Sequence, residues 1–266
     1  MGSVSPDYPY LALGDDGAAS WADAMHYNHT VEMILSGIKH IHAIDDSTIR
    51  SKCIAWLMGY AAHVTTDVTV HPIVQLKVGP YQENKKAHRV CEMNQDAYIF
   101  QRLNLGEIGL SEHLDTGICA CIEDDGKLDA DIKSLWGTML NEVYAAMVQN
   151  NPPDLDGWHS GFKMVVDNIA EEGYRLLPLA RHVAANAGHT YPALESIDSQ
   201  YIENLTTPTG VEHYDAIFDS AINNVGLVWS EIANALVGSN SPAQRLVGNW
   251  NLDTGENENG QLVFWS

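Results

Sequence analysis

From Ala55 to Val74 the chain reads AWLMGYAAHVTTDVTVHPIV, and from His88 to Phe100 it reads HRVCEMNQDAYIF. His63, Asp67 and His71 stand four residues apart, and His88 and Glu92 repeat the interval. A step of four brings two side chains onto one helix face. Around the first set lie Ile54, Trp56, Leu57, Met58, Ala61, Ala62 and Val64, which leave little of that helix for solvent. A carboxylate such as Asp67 in so apolar a segment is costly unless a cation or several donors satisfy it. Imidazole nitrogens and carboxylate oxygens are ligands that zinc takes in a compact, roughly tetrahedral shell. One His-x-x-x-Asp pair alone is most often an ordinary hydrogen-bonded pair. Two matching sets, packed face to face, would make a metal site.

The pattern H-x3-D-x3-H-P followed by H-R-x2-E resembles the zinc-dependent phospholipase C family. That family includes bacterial phosphatidylcholine-hydrolysing enzymes and the amino-terminal domain of glycosylphosphatidylinositol-specific phospholipase D, and single-strand-specific zinc nucleases share its fold. The opening GSVSPDYPYL and the later AMHYN resemble the family's Pro-Asp segment and the His that follows it. The likeness is good over roughly the first hundred residues, and YDAIFDSAINNVGLVW resembles the family's last helix. It implies an all-α, multi-helix domain and a zinc-dependent phosphoric diester hydrolase. By the resemblance, His26, His63 and Asp67 hold one Zn2+ and His71, His88 and Glu92 a second, with Asp67 bridging to a third. Asp7 would sit beside the metals as the base that activates water, or as an outer partner of the ligands. The implied substrate is a phospholipid, cleaved to diacylglycerol and a phosphorylated head group.

One departure bears on the metal count. The family's third zinc takes a His from well upstream of the Pro-Asp segment, and here only six residues precede Asp7. The expectation is two firm zincs and an uncertain third, with His29 the first substitute ligand to consider, or else a sequence that is a piece of a longer one. Two other readings keep the same residues: a nuclease or other phosphoesterase of this fold, and a metal-stabilised interaction domain with no open coordination position. The chain has 14 Lys and Arg against 35 Asp and Glu, a formal charge of -21, which speaks against a broad surface for nucleic-acid phosphates. It does not exclude phosphate held by metal ions.

The 266 residues, 45% hydrophobic, are enough for one large domain. We expect a helical domain over 1–237 and a polar tail or short hairpin over 238–266, where Asn259-Gly260 is a turn signal. No apolar run is as long as a transmembrane helix, and no signal-peptide pattern opens the chain. Location is therefore expected to be extracellular if the start is truncated and cytoplasmic otherwise. Cys53, Cys91, Cys119 and Cys121 form no C-x-x-C pair and are expected to be free.

Element by element, Pro6 and Pro9 predict an extended start over 1–16, and 18–43 reads as one helix. Asp46 or Ser47 should cap the first ligand helix, which should stop near His71-Pro72 because the residue before proline avoids helical geometry. Residues 74–81 read as a Gly-Pro loop and 82–103 as the second ligand helix, on which Asp96 is either an acceptor for a ligand imidazole or a solvated residue. The acidic stretch 106–128 reads either as a flap over the cleft or as a surface loop. Helices are expected over 128–150, 158–177 and 211–237, and a weaker one over 192–204.

Overall fold

The computed structural model describes residues 1–12, 15, 17–106, 108, 112–164, 166, 191–238 and 245–265, with only the backbone of 112–115. A 3-10 segment, Gly2–Leu11, precedes α1 (Ala18–Tyr27), α2 (Thr30–His42), α3 (Ser47–Val78), α4 (Tyr81–Arg102) and α5 (Glu112–Cys119). These lead to α6 (Ala130–Val143), α7 (Ala145–Asn150) and α8 (Leu155–Met164). An antiparallel ribbon, β1 (Leu205–Thr207) and β2 (Gly210–Glu212), pairs Leu205 with Glu212 and Thr207 with Gly210 before the last helix, α9 (Tyr214–Leu236). The fold is all-α with one small ribbon, as the resemblance implies. All four cysteines are free, with Cys53 and Cys91 buried.

Helix α3 is the axis. Asp46 starts it by accepting from the main-chain N–H groups of Thr48 and Ile49 at 2.8 and 3.0 Å, two of the donors a helix start leaves without partners. Its buried residues, among them Cys53, Trp56, Leu57, Tyr60, Val64, Val68 and Val74, lie on several faces, as in a helix enclosed by others. The opening segment, α2, α4, α6, α9 and β1 all pack on it. One core joins Tyr8, Trp21, Trp56, Leu57, Trp136 and Trp158, and a smaller one joins Val70, Ile73, Cys91, Ile202, Tyr214 and Ile217. Each such large apolar side chain contributes about 1.5–3 kcal/mol by leaving water.

Several expected boundaries move, each for a local reason. The prolines of the opening segment do not extend it, because their fixed φ suits a 3-10 turn as well as an extended chain. The helix expected over 18–43 breaks at Asn28-His29, where His29 turns left-handed with φ 57°. The tail holds that break: Thr30 Oγ1 donates to Trp250 O at 2.8 Å, and Asn249 Oδ1 accepts from Thr30 N at 3.1 Å. Pro72 does not end α3, which runs on to Val78. The tail packs there too, with Gly255 at φ 69° so close that a Cβ would fall 2.5 Å from Val68 O, while the Trp265 indole donates to Thr69 O at 2.7 Å. The bias before proline is a preference that such packing overrides.

The loop expected over 74–81 shrinks to Gly79-Pro80. The helix expected over 128–150 splits at Tyr144, whose hydroxyl donates to Asn28 O at 2.6 Å. Residues 192–204 form two single 3-10 turns, Leu194–Ser196 and Ser199–Tyr201, and Val211 lies in β2 rather than in α9. Of the helix expected over 158–177, α8 supplies the start, and residues 165 and 167–177 lie outside the described residues. The tail forms antiparallel bridges, Trp250 to Asn257 and Glu256 to Leu262, and sinks Leu246, Trp250 and Leu252 into the main core.

Candidate metal centre

Glycines bring the opening segment to the axis. A Cβ on Gly2 would lie 2.0 Å from Trp56 O, and one on Gly59 2.8 Å from Ser3 N, so the segment can lie against α3 only where both lack side chains. That contact puts Ser3 O where His63 Nδ1 donates to it at 3.0 Å. It also sets Asp7 Oδ1 3.2 Å from Nε2 of His26, which comes from α1. His26 and His63 then meet, Nε2 to Nε2, at 3.4 Å. On the next turns of α3, Asp67 presents one oxygen to each side: Oδ2 lies 3.2 Å from His63 Nε2 and Oδ1 3.8 Å from His71 Nε2. Helix α4 faces them with Glu92, whose Oε1 is 3.0 Å from His71 Nε2 and 3.2 Å from His88 Nε2.

The six residues expected to bind metal, together with Asp7, thus line one cleft of about 520 Å³. They form two groups, Asp7–His26–His63 and His71–His88–Glu92, with Asp67 between.

The imidazoles are oriented from behind. His26 Nδ1 donates to Ala22 O at 2.8 Å, His63 Nδ1 to Ser3 O, and His71 Nδ1 to Leu252 O at 2.9 Å. A carbonyl can only accept, so each ring carries its proton on Nδ1 and turns Nε2 inward, the state in which a histidine ligates. The main chain takes the orienting role that Asp96 could have had; Asp96 lines the same cleft, one turn beyond Glu92 on α4. His88 is held by packing, its ring meeting those of His71 and Tyr81 edge-on at 4.9 Å.

These residues fit zinc. Tetrahedral ligands about 2.0–2.1 Å from one ion lie about 3.3 Å apart. The inward-facing atoms meet at 3.0 to 3.4 Å in the pairs His26–His63, His26–Asp7, His63–Asp67, His71–Glu92 and His88–Glu92. The electrostatics agree. Burial works against a charged His26, but Asp7 and then Asp67 outweigh it and lift the imidazole to about 9. Burial likewise opposes a charged His71, and Asp67 and Glu92 lift it to about 10. Burial would raise Glu92 and Asp7, yet facing imidazoles hold Glu92 well below the usual carboxylate range and keep Asp7 below its ordinary value. A field that holds protons so firmly is one that draws a divalent cation.

A family profile described as Zinc dependent phospholipase C matches residues 1–146, more than half of the chain. The chain belongs to the zinc-dependent phospholipase C family. Comparison with curated proteins and with solved structures finds no match. The matched span holds every residue of both groups, and the remaining 120 residues contribute Phe162, Tyr191, Tyr214 and Asp253 to the cleft and Leu252 O behind His71. The family's zinc dependence accords with two three-residue groups suited to a two-zinc site. No described helix is long and apolar enough to cross a membrane.

Other residues of the cleft had no sequence signal. Tyr27 donates to Asp253 Oδ2 at 2.9 Å, joining α1 to the tail, and Tyr10 donates to Asp23 Oδ1 at 2.7 Å. Arg89, Gln95, Tyr191 and Tyr214 line it as well. None of the described residues of the acidic stretch 106–128 does, so a flap there has no support from the cleft lining; the stretch holds α5 and packs Ile118 into the core. His29, expected as a substitute ligand, is about half exposed and bound to Glu32 Oε2 at 2.8 Å, away from Asp67.

Proposed function

We propose that this protein is a zinc-dependent phosphodiester hydrolase that cleaves a phospholipid by a zinc-activated water, giving diacylglycerol and a phosphorylated head group. The observation that carries the reading is the pair of three-residue groups with one Asp67 oxygen turned to each and the three backbone-pinned imidazoles turned inward. His26, His63 and Asp67 would hold one ion, and His71, His88 and Glu92 a second, with Asp67 turning one oxygen toward each group. Zinc bound there supplies Lewis acidity toward water and a phosphoryl oxygen.

The chain's own groups do the rest. Asp7 stays ionised beside His26 and so can accept a proton from a water that lies between it and a phosphorus centre. The backbone carbonyls of Ala22, Ser3 and Leu252 keep the imidazoles from turning when that proton moves. Carriage of about two zinc ions and hydrolysis of a soluble chromogenic phosphodiester and of a short-chain phospholipid, both lost on chelation and restored by zinc, are the expected results. Protein without zinc after zinc-supplemented expression would falsify the reading. Zinc without turnover would point to the metal-stabilised interaction domain.

A further inference from the structure

Cations are scarce in this chain, 14 against 35 carboxylate side chains, so each has partners in ample supply. Lys39, Lys52, Arg102, Lys127, Lys133 and Arg245 each pair with a carboxylate, and Arg50 donates to Leu236 O. Arg89 and Lys163 have partners too. Lys77, Lys85 and Lys86 differ: no oxygen accepts from any of them among the described residues. Lys77 lies over the Tyr201 ring at 5.9 Å, Lys85 lies over the Tyr81 ring at 5.4 Å, and Lys86 is exposed.

All three sit at the corner where α3 gives way to α4. Lys77 is in the last turn of α3, and Lys85 and Lys86 are in the second turn of α4. At 1.5 Å per residue they lie within about 8 Å of the corner along the helix axes, inside one Debye length at about 0.1 M salt. The corner is tight: Gly79, at φ 92°, donates from its N–H to Gln75 O at 2.8 Å, and Asn84 Nδ2 donates to Pro80 O at 3.0 Å. Beside the lysines it presents Leu76, 54% exposed, and Pro80, also exposed. From here the same two helices run to the second metal group. His71 stands seven residues before Val78 and His88 seven after Tyr81, about 10 Å in each case. Tyr81, under Lys85, lines the cleft itself.

We propose that this corner docks the protein on an anionic phospholipid surface, with Leu76 and Pro80 entering the head-group layer and Lys77, Lys85 and Lys86 meeting lipid phosphates. The inference rests on the phospholipid reading above and assigns the face by which the protein reaches that substrate. Charge selects the occupant. A chain of charge -21 is repelled by anionic lipid except where unpaired cations come together, and beyond a Debye length the acidic remainder is screened. Lysines around an apolar point suit a membrane interface, where the stems follow the apolar layer and the ammonium groups stay at the phosphates. A nucleic acid would call for a track of cations along its backbone, and these stop at one corner.

The test is co-sedimentation of the zinc-loaded protein, on ice, with vesicles of phosphatidylcholine alone and of phosphatidylcholine mixed with phosphatidylserine. Wild type should bind the mixed vesicles about tenfold or more tightly than the neutral ones at about 0.1 M salt. Each lysine is worth about fivefold at such a surface, so Lys77→Gln/Lys85→Gln/Lys86→Gln should weaken binding about a hundredfold. Leu76→Ser should weaken it about fivefold. Lys39→Gln/Lys127→Gln/Lys133→Gln removes the same charge elsewhere and should bind as wild type does. All variants should keep wild-type melting and wild-type turnover of bis(4-nitrophenyl) phosphate. Equal losses in the two triple variants, no preference for the anionic vesicles, or no binding to either kind overturns the docking face, and turnover of the soluble ester then leaves the hydrolase reading standing. A dimer in gel filtration that only the first triple variant breaks would give the corner to a second copy and overturn the proposal as well. If no ester is cleaved while binding falls only in the first triple variant and in Leu76→Ser, the hydrolase reading fails and the docking face stands.

Discussion

Asp67 turns an oxygen to each of the two three-residue groups, whereas Glu92 meets histidines of only one. Asp67→Ala should therefore cut zinc from about two equivalents to below one, and Glu92→Gln only from about two to about one, read by elemental analysis after gel filtration. Equal losses would remove the bridge. Asp7→Asn keeps the shape and removes the basicity; hydrolysis should fall about 10²- to 10⁴-fold with zinc content nearly unchanged. A parallel loss of zinc would make Asp7 a ligand, a role its place 3.2 Å from His26 Nε2 also allows. The raised imidazoles predict a proton linkage. In zinc-free protein His26 and His71 sit at about 9 and about 10, above their unfolded value of 6.5. Their protonation thus stabilises the fold fully below about pH 6.5, and that stabilisation is lost as pH rises through 9 to 10. Zinc must displace those protons, so uptake near pH 8 should release about two, measured calorimetrically in buffers of different ionisation enthalpy. Release near zero at that pH would mean the two rings are already neutral.

At the scale of elements, the geometry of the cleft depends on how closely the opening segment lies on α3. Gly59→Val would put a side chain where a Cβ already falls 2.8 Å from Ser3 N. The segment must lift, taking with it the carbonyl that pins His63 and the carboxylate of Asp7. Expected are about 1–3 kcal/mol of destabilisation by denaturant titration and weaker zinc binding at the His26–His63 group, with the other group spared. Retention of both zinc affinities would show that the glycine pair serves packing alone. The core around α3 should respond in the ordinary way to lost volume, with no effect special to the site.

At the scale of the whole molecule, the tail binds distant parts together. It clasps the break between α1 and α2 through Thr30, covers Pro72 of α3, and supplies the carbonyl that orients His71. We propose that it is an integral part of the fold rather than an appendage. A chain ending at Val237 should lose several kcal/mol, since Leu246, Trp250 and Leu252 leave the core, and should lose zinc from the His71 group first. Unchanged melting and zinc content would restore the boundary at 237. Zinc itself should stabilise the intact protein, by about 2.7 kcal/mol per site at a hundredfold excess over its dissociation constant.

The sequence alone determined the helical class and singled out His26, His63, Asp67, His71, His88 and Glu92 with Asp7, which the fold brings into one cleft. The reason is that a helix turns spacing into direction: residues four apart share a face whatever surrounds them. The break at His29 and the passage of α3 through Pro72 were not legible, because each depends on a segment remote in the chain. The left-handed His29 is held by Asn249 and Trp250, and the proline by Gly255 and Trp265. The same holds for the site's outer parts. Asp253 and Leu252 arrive from the tail, and Tyr191 and Tyr214 line the cleft from beyond residue 190. Spacing along one helix is a local property, and only tertiary packing decides which distant carbonyl, ring or amide completes the site.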